Sequence, residues 1–75
     1  MNAPVVMHDT VRHRGRVLRA RILCDVWMYT DSQVRISRGD LVARDRGRAT
    51  PDQWYEVTGL IATTGIYQKF RVAKA

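Results

Sequence analysis

The chain holds a single cysteine, Cys24, which excludes an intramolecular disulfide and a cysteine-rich zinc site and suits a reducing compartment. Histidine is nearly as scarce, and His8, Asp9, His13 and Cys24 match no metal-ligand spacing. There is no glycine-rich phosphate loop, and no histidine stands at a recognisable offset from Cys24 to activate it as a nucleophile. Asp40, Asp45, Asp52 and Glu56 are scattered among arginines in turn-like contexts, where ion pairing is the ordinary role. These absences argue against catalysis, a cofactor or a metal. No stretch approaches the roughly 20 apolar residues required to cross a bilayer, and the opening "MNAPVVMHDT" lacks the basic and apolar parts of a leader. A soluble, unsecreted protein with no membrane partner is expected. Internal repeats, low-complexity segments and an interdomain linker are also missing.

What is present is a 75-residue chain with room for one domain and one modest core, at a length where burial barely outweighs chain entropy. An oligomer or a host complex is expected to supply extra stability. The formal net charge is +6, and arginine provides 11 of the 13 basic side chains. That choice favours forked, planar recognition of phosphate or carboxylate, although a GC-rich genome produces the same bias. Residues 1–24 carry +4 and the remainder +2, so an anionic partner is expected to meet the N-terminal part.

Residues 1–10 give no periodic face and read as a flexible arm, with residues 11–75 forming a single small domain. From Leu18 to Met28 every second residue is apolar, including Ala20, Ile22, Cys24 and Val26; period two over that length predicts one long half-buried strand. "TDSQ" reads as a turn, "VRIS" as a strand with Val34 and Ile36 facing in, and Arg38-Gly39-Asp40 as a turn in which Gly39 takes a positive φ. "LVAR" is the next strand. Residues 45–53 form a polar loop where Thr50, Pro51 and Gln53 have the spacing of a capped helical turn. "WYEVTGLIAT" and "IYQKFRVAKA" form a β-hairpin, with Tyr55, Val57, Ile61, Ile66, Phe70 and Val72 as the expected core. The fold class is all-β: a small antiparallel β-barrel or curled sheet of about five strands with at most one short helical turn.

Three groups of residues are candidates for binding. Arg12, Arg14 and Arg16, read as one extended chain, project from one face about 7 Å apart, close to the phosphate spacing of a nucleic-acid strand. The same ladder fits an acidic protein surface, or an edge strand guarded by charge. Arg19 and Arg21 share a strand face with Trp27 and Tyr29, a composition found in protein–protein hot spots and in nucleic-acid platforms. Arg44, Arg46 and Arg48 cluster around Asp45 in the polar loop, where solvation is the ordinary explanation.

The stretch "ISRGDLVARDRGRATPDQWYEVTGLIATTGIYQKFRVAK" resembles the C-terminal half of head-closure (head–tail connector) proteins of tailed bacteriophages. The matching features are Ile36, Gly39-Asp40, Leu41-Val42, Tyr55-Glu56-Val57, Gly59 and Arg71-Val72. The chain is shorter than is usual in that family, and its N-terminal part differs, which leaves room for another virion part such as a capsid-decorating protein. The resemblance implies a non-enzymatic virion structural protein in the form of a β-barrel subunit. It would form a homo-oligomeric ring at the head–tail junction and act through packing against neighbouring virion subunits. Two other readings stay open. One is a small basic phage-encoded regulator in the host cytoplasm that binds an acidic surface of a host machine such as RNA polymerase or a nuclease. The other is a nucleic-acid binding protein.

Overall fold

The computed structural model describes residues 9–75. Six strands are formed: β1 (Thr10–His13), β2 (Arg16–Leu23), β3 (Trp27–Asp31), β4 (Leu41–Arg44), β5 (Tyr55–Thr63) and β6 (Tyr67–Lys74). They close into an antiparallel barrel in the order β1-β2-β3-β6-β5-β4. The all-β expectation holds, with six strands where about five were expected and no helix among the described residues. Residues 1–8 of the expected arm lie outside the described residues, while Thr10 already belongs to β1.

The long strand expected from Leu18 to Met28 is instead a hairpin. Cys24 and Asp25 take φ values of 55° and 58°, and the Val26 amide donates to the Leu23 carbonyl at 3.1 Å. Two successive left-handed residues are the pattern of a type I′ turn, whose twist matches that of the flanking strands. Ala20 pairs with Thr30 and Ile22 with Met28, so partners are an even number of positions apart. The alternation therefore continues in phase through the reversal, and a bent chain has the periodicity of a straight one. Cys24, expected on the apolar face, is exposed in the turn.

"VRIS" keeps its predicted alternation, with Val34 and Ile36 half-buried and Arg35 and Ser37 exposed, but it joins no ladder. Ile36 packs against the core from outside the sheet. Gly39 has the expected positive φ, 93°, in a turn where the Asp40 amide donates to the Ser37 carbonyl at 3.0 Å. No helical turn forms at Thr50. The loop there is held by the Arg12 guanidinium, which donates to the carbonyls of Ala49 (2.9 Å) and Arg48 and to Asp45 Oδ1 (3.2 Å).

The core consists of Val11, Ala20, Ile22, Met28, Val42, Tyr55, Val57, Phe70 and Val72, with Leu18 and Ile36 packed against it. Each large side chain fully buried here stabilises the fold by about 1.5–3 kcal/mol. Tyr55, Val57, Phe70 and Val72 sit where expected, but Ile61 and Ile66 are 49% and 61% exposed. Ile66 keeps the phase of Phe70 and Val72 but lies in the turn before β6, past the end of the core; for Ile61 the cause is a pair of bulges in β5. Val57 pairs with Val72 and Gly59 with Arg71, leaving Thr58 unmatched; Leu60 pairs with Phe70 and Ala62 with Lys69, leaving Ile61 unmatched. Each extra residue re-phases the strand, so the face read by simple alternation is lost beyond Val57.

Candidate interaction surfaces

The arginine ladder does not exist as a line of charge. Arg14 and Gly15, at φ 52° and 76°, are the two residues of a tight turn that sends the chain from β1 into β2. Arg12 lies on β1 with its guanidinium spent on the 45–49 loop, and Arg16 lies on β2 opposite His13. Arg14 reaches back to Asp40 Oδ1 at 3.3 Å.

Asp40 organises this corner. His13 Nε2 donates to Asp40 Oδ2 at 2.7 Å, and the Ser37 amide donates to the same oxygen at 3.1 Å. The carboxylate only accepts, so the proton must sit on Nε2. These two hydrogen bonds, with His13 the larger effect, hold the Asp40 carboxyl below the usual carboxylate range.

The second predicted cluster is likewise divided. Arg44 is the last residue of β4 rather than part of the loop. It donates to the Tyr55 hydroxyl (2.9 Å) and the Ile22 carbonyl (2.9 Å) and lies 3.7 Å from Asp25. The Tyr55 hydroxyl in turn donates to Asp25 Oδ1, and Lys74 Nζ lies 3.6 Å from the other Asp25 oxygen. The hydroxyl is the main reason the Asp25 pKa is lowered, and burial is the main reason that of Tyr55 is raised. Arg48 pairs with Asp52 at 2.6 Å and Arg46 with Asp9 at 4.0 Å, both largely exposed and worth little.

Trp27 and Tyr29, by contrast, do lie on a shared cationic face. The register aligns Arg21, Tyr29 and Lys69 in one row across β2, β3 and β6, and Leu23, Trp27 and Arg71 in the next. Lys69 Nζ lies 4.1 Å from the Trp27 ring centre and 5.6 Å from that of Tyr29, and the Arg71 guanidinium lies 5.0 Å from Trp27. Tyr67 meets Tyr29 edge-on at 5.6 Å. Arg19 is exposed at the outer end of the same face. Sequence reasoning missed Lys69 and Arg71. Their signal was the alternation against Phe70 and Val72 in "YQKFRVAK".

A different surface occupies the distal half of β5. On its side away from β6, β5 pairs with β4 only through Tyr55 and Glu56. The Val57 amide and carbonyl then bond Asp40 O (2.8 Å) and Gly39 N (2.7 Å). From Thr58 to Thr63 that edge has no backbone partner among the described residues. Leu60, 55% exposed, stands beside Ile61 on this open stretch, and Ile66 follows across the turn.

No protein-family model matches the chain, and no curated protein or solved structure matches it either.

Proposed function

We propose that this protein is a non-enzymatic assembly module that packs against further copies of itself. Of the readings above, the ring-forming subunit at a phage head–tail junction fits this role best. The observation that carries the reading is the open distal half of β5. Residues 57–68, "VTGLIATTGIYQ", include no charged side chain, in a chain where 27% of residues are charged. An unpaired, apolar strand edge is a surface that proteins ordinarily blunt with charge, and leaving it bare favours a neighbour. On a chain of net charge +6, an uncharged edge is where identical copies meet without repulsion.

The nucleic-acid reading drew on the arginine ladder and on the face of Arg19, Arg21, Trp27 and Tyr29; the three ladder arginines are divided among a strand, a turn and a second strand, which removes the first of these supports. The cationic face of Trp27 and Tyr29 supports a further contact to a neighbouring subunit, since aromatic and arginine side chains anchor protein interfaces.

Light scattering at low and physiological salt tests this. A discrete oligomer that persists as salt rises is expected, because apolar contacts are not screened. The Ile61→Lys variant, altered at an exposed position, is expected to melt like the parent yet run as a monomer. A parent that stays monomeric at every concentration removes the proposal.

A further inference from the structure

We infer that the cleft between the β1–β2 turn and residues 33–35 is a docking site for an acidic protein segment whose carboxylates flank an aliphatic side chain. The cleft, of about 550 Å³, is lined by His13, Arg14, Arg16, Leu18, Gln33, Val34 and Arg35. Three arginines from two separate parts of the chain line it, and no carboxylate is among its lining residues. Two other clefts with arginine in their walls, among the described residues, also contain an aspartate, Asp9 in one and Asp52 in the other.

Most arginines of this protein have a side-chain partner among the described residues, Arg14 included, whereas Arg16, Arg21, Arg35 and Arg38 have none. Arg16 and Arg35 make no ion pair or hydrogen bond among the described residues. Residues 1–8 contain no aspartate or glutamate to neutralise them. Arg14 is 72% exposed, and its single pairing with Asp40 at 3.3 Å orients it and leaves donors to spare. His13 closes one wall, with its Nε2 proton committed to Asp40. Leu18 and Val34 are half-buried and add an apolar wall.

That combination selects among anions. A forked guanidinium binds carboxylate and phosphate alike, so the arginines name only an oxyanion. A single-stranded nucleic acid is also held by bases stacked on exposed aromatic rings; no phenylalanine, tyrosine or tryptophan lines this cleft, and the His13 side chain is only 8% exposed. Leu18 and Val34 instead offer an aliphatic contact, which a peptide side chain satisfies and a nucleotide does not.

The test is fluorescence anisotropy with two labelled probes, a short peptide of aspartates flanking a central leucine and a short oligothymidylate. The parent is compared with the Arg16→Ser/Arg35→Ser double variant. Arg46→Ser/Arg48→Ser is the control, because it removes the same charge outside the cleft. Thermal melts of all three proteins establish that each is folded. The cleft variant is expected to lose about tenfold or more in peptide affinity, because charge-assisted hydrogen bonds are removed. The control is expected to lose less than about threefold, as screened surface charge does. Equal losses in the two variants, or no measurable peptide binding by the parent, overturn the inference. Oligothymidylate binding at least as tight as the peptide, and lost in the cleft variant, assigns the site to nucleic acid and overturns it as well.

Discussion

Replacing Asp40 with alanine removes the group that joins the β1–β2 turn to the entry of β4. Three contacts are lost: His13 Nε2 at 2.7 Å, the Ser37 amide at 3.1 Å and Arg14 Nη2 at 3.3 Å. The His13 and Asp40 side chains are only 8% and 11% exposed, so His13 is left without a partner where water has little access. A hydrogen bond to a charged group at such a site contributes about 1.5–3 kcal/mol. The Ser37 amide adds about 1 kcal/mol, and Arg14, mostly in solvent, adds at most about 0.5 kcal/mol. The total loss is about 3 kcal/mol, which in a domain of this size lowers Tm by about 12–24 °C. Thermal denaturation followed by circular dichroism measures it. The pH dependence supplies a second check. The Asp40 pKa is depressed in the folded state, so its contribution is fully present above the unfolded value of about 3.9 and is lost as pH falls through the folded value. The gap between parent and Asp40→Ala should therefore be full near neutrality and should narrow in acid, below about pH 4. A Tm change under about 4 °C, or a gap that stays constant into acid, refutes the reasoning.

Other substitutions test other parts of the structure. Cys24→Gly relieves a left-handed conformation at an exposed turn position and is expected to stabilise the protein by about 0.5–1 kcal/mol, read from the denaturant midpoint. In the parent, the same cysteine should react with a thiol reagent without denaturant, since it lies in the turn rather than in the core. Arg12→Ala frees the carbonyls of Arg48 and Ala49, so hydrogen exchange over residues 45–50 should accelerate with a stability loss of about 1–2 kcal/mol.

How far the sequence could be read depended on whether an element declares itself locally. The hairpin of Tyr55, Val57, Phe70 and Val72 was legible because each strand alternates cleanly at the barrel end. Ile61 was misplaced because a bulge leaves no mark in the apolar pattern, since Thr58 and Ile61 become supernumerary only when the opposite strand is known; Ile66 was misplaced because the strand ends one residue short of it. The turn at Cys24 and Asp25 was hidden for a related reason, since neither residue is glycine and the even spacing of partners keeps the pattern in phase. At the candidate sites, Trp27 and Tyr29 with Arg21 were visible on one strand face. Lys69 and Arg71 joined them through a ladder between residues 40 and 44 positions apart. His13 and Asp40 lie 27 positions apart, and no local rule brings them together. Charge counting overstated the arginine ladder for the opposite reason, because it ignores guanidinium groups that serve as clips.

The seam between β4 and β5 rests on two residue pairs, whereas β5 and β6 are adjacent in the chain and pair along nearly their whole length. Closing a short loop costs less entropy than closing a long one, so the β5–β6 hairpin forms more readily than the β3–β6 and β1–β4 pairings, which join residues far apart in the chain and complete the circle. If the open β5 edge is the docking element proposed above, it belongs to the hairpin that forms most readily, and a neighbouring copy would meet it before the circle is complete.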